Sequence, residues 1–240
     1  MNKANPLSSP MMGRTLNIEK DYFRPKESNE EDLGAEVPYL NAIGALMYLA
    51  NYTRSDIAFA VNLLAKFSSC PTKRHWKGIK HIFRYLRGTS DLGLFYSNNT
   101  KPILLGYADA RYLSDPHNAK SQTGYIFTYG NTAISWRSQK QTIVATSSNH
   151  AEVIPLHEAS KEYNAACVTR MKEGYIKSDR TKHIPPKFFS FTQELERNKD
   201  VDIQYIRSSD NVTDLFTKAL STSIFKKHVQ SIGMRHLRDL

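Results

Sequence analysis

The sequence predicts an α/β protein in which a group of helices precedes a sheet. Apolar residues recur at helical spacing between residues 38 and 87. From residue 92 onward the chain changes to short strand-like segments separated by turn residues. Helical patterns return near residue 148 and enclose one further strand-like segment. The predicted order of helices, then β-β-β-α, then α, β, α is that of an α/β layer structure.

Composition indicates a basic protein of one large or two small domains. The 240 residues are 40% hydrophobic, which is enough for a core, and carry a net charge of +10. This charge favours a polyanionic partner, most often a nucleic acid, over the alternative of a basic protein without one. Two cysteines, Cys70 and Cys167, form neither a disulfide framework nor a zinc pattern, which indicates a reducing compartment.

The sequence shows no targeting or membrane segment. Residues 1–6 lack the apolar region of a signal peptide, and no run of about 18 apolar residues occurs. We therefore expect an intracellular protein, cytoplasmic or nuclear, without a membrane partner. Nothing in the sequence indicates an oligomeric state.

The helical part follows a polar lead-in. Residues 1–36 hold three prolines and the charged stretch 27–36, and we expect them to be extended or disordered. Helical spacing predicts a first helix from Tyr39, and Ser55 or Asp56 can cap a second helix that runs to Lys66. A third helix is expected from Pro71 to about Arg87.

The third helix has two different faces. One face is apolar, and the other is cationic, with no acidic residue between Pro71 and Ser90. The usual meaning of this pattern is a solvated face over a buried one. The alternative is a phosphate-binding face, because cations without acids repel one another and gain nothing from pairing. The candidate nucleic-acid-binding residues are Lys73, Arg74, Lys77, Lys80, Arg84 and Arg87.

Strand patterns fill the middle of the chain, at residues 92–96, 103–109, 123–129 and 133–136. Gly130-Asn131 between the last two segments is a hairpin signal. Ser147 and Ser148 are expected to cap a helix that extends to about residue 172. A basic stretch at residues 177–187, a helix around 188–198, an alternating strand at 201–206 and two short helices complete the prediction.

Three acidic residues lie at the ends of such segments. Asp109 follows the apolar run 103–108, Glu152 opens the helix after Ser147, and Asp214 lies within residues 210–218. Carboxylates from distant parts of a chain are the hard oxygen ligands that Mg²⁺ requires. Two such ions about 4 Å apart can activate water and stabilise a leaving oxygen in phosphodiester cleavage. A pair of ions usually needs more carboxylates than these three.

Several motifs resemble one known family. Residues 37–50 (VPYLNAIGALMYLA), 53–61 (TRSDIAFAV) and 75–89 (HWKGIKHIFRYLRGT) resemble the end of the reverse transcriptase in copia-type retrotransposon Pol polyproteins, particularly those of plants. Residues 106–110 (GYADA), 121–125 (SQTGY), 147–152 (SSNHAE) and 210–218 (DNVTDLFTK) resemble the RNase H domain of the same polyproteins. The motifs occur in the family's order and cover nearly the whole chain after residue 5.

The resemblance implies a fold and a chemistry. It implies an RNase H-like mixed sheet with flanking helices over residues 91–240, preceded by a helical reverse transcriptase tail at 37–90 and the lead-in at 1–36. The family's domain degrades the RNA of an RNA–DNA hybrid with two Mg²⁺ or Mn²⁺ ions and four carboxylates. By motif position, Asp109, Glu152 and Asp214 are three of these catalytic and metal-binding residues.

The chain departs from the family at the fourth carboxylate. Tyr163 stands before Asn164 where the family has an Asp, and roughly two dozen residues that precede this motif in the family are missing. The resemblance therefore implies that one central strand of the sheet is lost. Arg111 replaces a second Asp and would compete with metal for Asp109, and Pro155 lies just inside the helix of Glu152.

Three hypotheses follow. The first, which we favour, is a catalytically inactive Pol fragment that retains non-specific nucleic-acid binding, for example to RNA–DNA hybrids. The second is an active, metal-dependent ribonuclease on such hybrids. The third is a protein-interaction or effector-like role, although a secreted effector is expected to carry a signal peptide. No Tyr-x-Asp-Asp polymerase motif is present, so DNA synthesis is not expected.

Overall fold

The computed structural model of the chain describes residues 4–15, 17–98, 103–166, 195, 197 and 202–240. The helices are α1 (Tyr39–Tyr52), α2 (Ala58–Ala65), α3 (Lys73–Gly88), α4 (Ser148–Ala166), α5 (Asp214–Thr217) and α6 (Thr222–Ser231). The strands are β1 (Leu92–Leu94), β2 (Leu104–Asp115), β3 (Lys120–Tyr129), β4 (Thr132–Lys140) and β5 (Met234–His236). Within these ranges the chain is a mixed α/β protein, as the sequence predicts.

The main sheet is an antiparallel meander of order β2-β3-β4. Tyr129 pairs with Thr132 across a two-residue turn. The turn residues Gly130 and Asn131 have φ values of 57° and 66°, the left-handed conformation that a type I′ hairpin requires at both positions. The hairpin predicted from these two residues is therefore confirmed.

The second sheet has two strands and is non-local. β1 pairs antiparallel with β5, so that Leu92 lies opposite His236. The sequence pattern at residues 92–96 predicts a strand but does not reveal a partner some 140 residues away in the chain. Both sheets of the described part are antiparallel, and the more detailed RNase H-like arrangement stays a prediction.

The strand predicted at residues 201–206 is wrong for its described part. Residues 202–206 have no strand pairing in the structure, and Tyr205 is 93% exposed. A strand persists only where a neighbour accepts and donates its backbone hydrogen bonds. Among the described residues, no strand lies beside this segment, in keeping with the loss of a central strand that the sequence implies.

The lead-in is extended but ordered, so the alternative of disorder is wrong for its described part. Phe23 and Asp21 are fully buried, and Arg14 forms a 3.0 Å ion pair with Asp21. Tyr22 donates its hydroxyl hydrogen to the carbonyl oxygen of Arg74 in α3. The segment stays in place because it contributes apolar residues to the core and polar contacts to α3.

One hydrophobic core joins the helical part to the sheet. It contains buried residues of α1, α2 and α3, such as Leu46, Leu64 and Ile79, together with Ile126 of β3 and Phe216 of α5. A smaller cluster beneath α4 contains Tyr125, Phe127, Ala159, Tyr163 and Leu195. The division into a helical and a sheet domain remains a prediction, but the two parts share packing.

The second helix begins differently from the prediction. A 3₁₀ turn at Ser55–Ile57 precedes α2, and neither Ser55 nor Asp56 caps the helix with its side chain. Instead, Asp56 is buried and accepts hydrogen bonds from Arg54 at 2.8 and 3.0 Å and from the Tyr85 hydroxyl at 2.5 Å. A buried guanidinium offers two charge-assisted bonds, which outcompete one backbone cap.

Helix α4 begins as predicted. The Ser147 hydroxyl accepts the backbone N–H of His150 at 3.1 Å, so Ser147 is the cap. Pro155 lies beyond the first turn, where its missing N–H leaves the carbonyl of Ala151 without a helical partner. The side chain of Gln141 donates to that carbonyl at 2.9 Å and replaces the lost hydrogen bond.

The remaining C-terminal predictions fall largely outside the described residues. These are the extension of α4 beyond Ala166, the basic stretch 177–187 and the helix around 188–198, of which only Leu195 and Arg197 are described, both as helical. No helix in the described ranges has the length and apolar character needed to cross a membrane.

Candidate functional site

Three separate elements of the fold carry the predicted carboxylates. Asp109 lies in the middle of β2, Glu152 in the second turn of α4, and Asp214 at the first position of α5. Asp109 accepts a 2.9 Å hydrogen bond at Oδ2 from the hydroxyl of Thr217. The fold therefore brings α5 onto the strand of Asp109.

Glycine at position 124 permits this approach. Gly124 of β3 pairs with Asp109 of β2. A Cβ atom at this position would lie 2.7 Å from Cβ of Phe216 and 2.8 Å from Cγ2 of Thr217, closer than Cβ contacts allow. Any larger residue would push α5 away from the sheet and separate Thr217 from Asp109.

Lys218 lies between two of the carboxylates. Its ammonium group donates to Oδ1 of Asp214 and lies 3.8 Å from Oδ2 of Asp109. Asp214 is buried, and the Lys218 side chain is only 25% exposed. A cation supplied by the chain itself thus neutralises the pair that the resemblance assigns to metal.

Glu152 and Arg111 are two further charged residues near Asp109. Glu152 has access to solvent, and desolvation together with the negative charge of Asp109 raises the pKa of its carboxyl group. Burial and the nearby Arg14 lower the pKa of Arg111, while Asp214 and Asp109 act in the opposite direction. Arg111 is therefore close enough to sense both carboxylates, as expected from its position two residues after Asp109.

Tyr163 stands where the resemblance requires the fourth carboxylate. Its ring is 6% exposed and stacks on Phe127, with centroids 6.4 Å apart. It belongs to the apolar cluster beneath α4 rather than to the acidic site.

The residues present do not fit a two-ion site. Within the described ranges, no group of three or more His, Cys, Asp or Glu side chains is placed to hold a metal ion. One predicted ligand is replaced by a buried ring, and a lysine ammonium bridges two of the others. We therefore derive no catalytic step through a metal.

The cationic face of α3 is matched by the lead-in. Lys73 pairs with Glu31 at 2.7 Å. Arg74 donates to Glu30 at 3.0 Å and to the carbonyl oxygens of Tyr22 and Arg24 at 2.7 and 3.0 Å. For Lys73 and Arg74, the acids missing from α3 itself therefore come from a segment more than 40 residues earlier, and the assumption of uncompensated repulsion is wrong for these two cations.

At the C-terminal end of α3, two arginines also contact the lead-in, but they donate to backbone carbonyl groups instead of acidic side chains. Arg84 donates to the carbonyl of Asn5 at 2.7 Å, and Arg87 to that of Ala4 at 2.8 Å. Lys80 lies over the ring of Trp76, 5.9 Å from its centroid. Lys77 has no ion pair with another described residue. Nucleic-acid binding by these six residues stays a prediction.

Two residues of the acidic site were not predicted as members of it. Thr217 and Lys218 lie in the same motif as Asp214, and the i,i+4 spacing of Asp214 and Lys218 on a helix is a recognisable signal of an ion pair. That Lys218 also reaches Asp109 depends on how α5 packs on the sheet, for which the sequence has no local signal.

Comparisons with known proteins identify relatives. No family model matches the chain, and no solved structure matches it. The Pol polyprotein of transposon TNT 1-94 from Nicotiana tabacum is 34% identical over 255 aligned positions, which cover 98% of this chain. The Pol polyprotein of transposon RE2 from Arabidopsis thaliana is 29% identical over 82% of the chain. Secreted RxLR effector protein 161 from Plasmopara viticola is 43% identical over 52% of the chain and 89% of its own length.

The chain matches only part of the polyproteins. It spans 19% of the tobacco protein and 15% of the Arabidopsis protein. The similarity to the tobacco protein nevertheless extends over almost every residue of this chain, in agreement with the motifs in the sequence. The chain belongs to the family of copia-type retrotransposon Pol polyproteins.

Proposed function

We propose that this chain is a Pol-derived segment whose RNase H-like region binds nucleic acid without cleaving it. The observation that carries the proposal is the ammonium of Lys218, which contacts Asp214 and lies 3.8 Å from Asp109. A divalent ion can join these carboxylates only if Lys218 leaves. Mg²⁺ gives up its hydration water reluctantly, so it competes poorly with a covalently attached cation.

The loss of ligands reinforces this conclusion. With Tyr163 buried against Phe127, the site lacks a carboxylate that the family's two-ion chemistry uses. Removing one stabilising group from a transition state costs about 3 kcal/mol, which corresponds to a factor of 10²–10³ in rate. Two such defects in one site lower the rate by about 10⁴–10⁶ if their effects add.

Binding rests on charge rather than on a built pocket. The net charge of +10 favours phosphate backbones in general, without base-specific contacts. Among the candidate cations of α3, Lys77 and Lys80 form no ion pair with a described acid. A nucleic-acid partner also implies a cytoplasmic or nuclear location, which suits the free, exposed thiol of Cys70.

The test is cleavage of a labelled RNA–DNA hybrid in Mg²⁺ and in Mn²⁺, with Asp109→Asn as the matched control. We expect no metal-dependent cleavage by either protein and salt-dependent binding by both. Circular dichroism establishes that each protein is folded. Cleavage that Asp109→Asn abolishes would overturn the proposal in favour of an active ribonuclease.

A second candidate function is protein interaction. Helix α1 contains no charged residue, and Leu40, Met47, Tyr48 and Tyr52 are exposed on its outer face. A helix that is apolar on all sides is usually covered. The similarity to an effector protein over half of this chain is a further reason to consider this role. If the partner is a second copy of this chain, sedimentation should show self-association of the wild type that Met47→Glu/Tyr52→Glu loses, and a monomeric wild type would contradict this form of the hypothesis.

A further inference from the structure

Two segments of the chain have complementary charge. Residues 27–36 contain five acids and no lysine or arginine, whereas α3 contains six cations and no acid. The structure places them side by side: Asp32 forms a β-bridge with Thr72, and the N–H of Leu33 donates to the carbonyl of Pro71 at 3.1 Å. The acidic segment therefore lies at the N-terminal end of α3, where negative charge also favours the helix dipole.

The contacts between the two segments differ in strength. Arg74 and Glu30 are mostly buried, so this contact is the stronger one. Arg74 also donates to the carbonyls of Tyr22 and Arg24, which lie before the acidic segment and hold Arg74 if Glu30 is displaced. Lys73 and Glu31 are 72% and 79% exposed. Solvent screens an exposed ion pair of this kind, so it contributes little to stability. A polyanion can compete with Glu31 for Lys73 at little cost.

A groove separates the acidic segment from the helix. It has a volume of about 320 Å³ and is lined by Glu30, Glu31, Lys73, Arg74 and Lys77, together with Tyr22 and Thr72. Lys77, which pairs with no described acid, lies one turn after Lys73 and faces the same groove. A phosphate group that enters here meets two lysines, but it also meets two carboxylates that repel it.

We propose that residues 27–36 are an electrostatic cover that nucleic-acid phosphates must displace from α3, so that Glu30 and Glu31 limit the affinity of the chain for nucleic acid. This inference rests on the proposed nucleic-acid binding and adds that the acidic segment regulates it. Phe23 and Asp21, both fully buried, hold the lead-in while the acidic segment moves. The occupant that replaces the cover is a phosphate backbone, because Lys73 and Lys77 present point charges without base-reading geometry.

The experiment compares the affinity of a labelled RNA–DNA hybrid for the wild type, Glu30→Gln/Glu31→Gln and a charge-matched control, Glu19→Gln/Asp239→Asn. Glu19 and Asp239 are exposed and lie outside the acidic segment, so the control changes net charge equally. We expect Glu30→Gln/Glu31→Gln to bind the hybrid about tenfold more tightly than the wild type at low salt. Its affinity should also fall more steeply with salt concentration, by the amount that about one to two additional phosphate contacts cause. The control should change affinity by less than about threefold, since neither Glu19 nor Asp239 pairs with a cation of α3.

The possible results distinguish a failure of the proposed electrostatic cover from a failure of the proposed nucleic-acid binding. Equal gains in both variants would show that net charge alone matters, which overturns the cover. Binding that Lys77→Gln/Lys80→Gln weakens, without a gain in Glu30→Gln/Glu31→Gln, also overturns the cover but leaves the binding function intact. No binding by any of these proteins overturns both.

A second measurement uses the unmodified protein. Lys26 pairs with Asp32 and is 29% exposed, so displacement of the acidic segment should open the backbone near it to trypsin. We expect saturating hybrid to accelerate cleavage after Lys26 relative to cleavage after Arg238, which is exposed and distant. Unchanged relative cleavage in the saturated complex would overturn the proposed displacement.

Discussion

The ring of Tyr163 stacks on the ring of Phe127 with an interplanar angle of 29° and belongs to a buried apolar cluster. The position that the family resemblance assigns to a carboxylate is therefore part of the packing beneath α4. Restoring the acid does not restore a site, because the carboxylate would enter the apolar packing around Phe127.

We predict that Tyr163→Asp lowers the free energy of unfolding by about 3–5 kcal/mol and produces no metal-dependent cleavage. Tyr163→Phe, which keeps the ring, should cost no more than about 1.5 kcal/mol. Urea unfolding of the three proteins measures both values. A Tyr163→Asp protein as stable as the wild type, with Mn²⁺ binding, would contradict the packing role.

Lys218 should determine how the acidic site responds to divalent ions. Replacing Lys218 by Met leaves Asp109 and Asp214 without their shared cation. We expect lower stability in the absence of divalent ions and a gain of about 1.4 kcal/mol in Mn²⁺ binding, which is a tenfold higher affinity. Calorimetric titration and thermal unfolding with and without Mn²⁺ measure the two effects.

The control for this prediction is Lys227→Met. Lys227 pairs with Asp210 at 3.2 Å on an exposed surface and forms no ion pair with Asp109 or Asp214. Its loss should change neither Mn²⁺ affinity nor stability by more than about 1 kcal/mol. Equal Mn²⁺ binding by Lys218→Met and the wild type would show that the ammonium does not stand in the way of the ion.

Gln141 should matter because of Pro155. The Gln141 side chain donates to the carbonyl of Ala151, whose helical partner is absent at Pro155, and to the hydroxyl of Thr123 at 3.0 Å. We expect Gln141→Leu to cost about 1–3 kcal/mol, because a buried carbonyl loses its donor. In a Pro155→Ala background the backbone N–H of residue 155 can donate to the carbonyl of Ala151. The cost of Gln141→Leu in that background should therefore be about 1 kcal/mol smaller. Equal costs in both backgrounds would contradict the compensation.

His75 should make stability depend on pH. It is fully buried, its Nδ1 accepts the N–H of Thr72 at 3.1 Å, and its Nε2–H donates to the carbonyl of Arg24 at 3.0 Å. Burial lowers the pKa of His75 from 6.5 to about 4. Between these values the unfolded chain binds more protons than the folded one, so stability is lost as the pH falls.

Between about pH 7 and pH 5, His75 should account for a loss of about 2 kcal/mol in the free energy of unfolding. Burial also lowers the pKa of His81, His150 and His228, which therefore add to the loss in the same direction. The test is the difference between the wild type and His75→Gln, measured by urea unfolding at both pH values. A variant with the same pH dependence as the wild type would contradict the assignment.

Local signals in the sequence predict much of the secondary structure. Gly130-Asn131 predicts a hairpin because both residues tolerate positive φ, and the hairpin forms. Ser147 predicts the start of α4 because its hydroxyl can accept an N–H of the first turn. Each of these signals depends only on neighbours within a few residues.

Predictions that need a distant partner are less successful. Residues 202–206 alternate like a strand, but no described strand lies beside them. The cations of α3 lack acids nearby in sequence, and the acids that pair with Lys73 and Arg74 lie more than 40 residues away. No pattern within α3 indicates that Glu30 and Glu31 fold back onto it.

The sequence by itself determined the family, the mixed α/β class and the three acids of the candidate site, because motifs and periodicity are local properties of the chain. Tertiary structure alone decided what surrounds those acids. The close contact at Gly124 sets α5 on the sheet, and this packing brings Lys218 to Asp109 as well as to Asp214. The charge of a site depends on distances between elements far apart in sequence, and only the packed core establishes these distances.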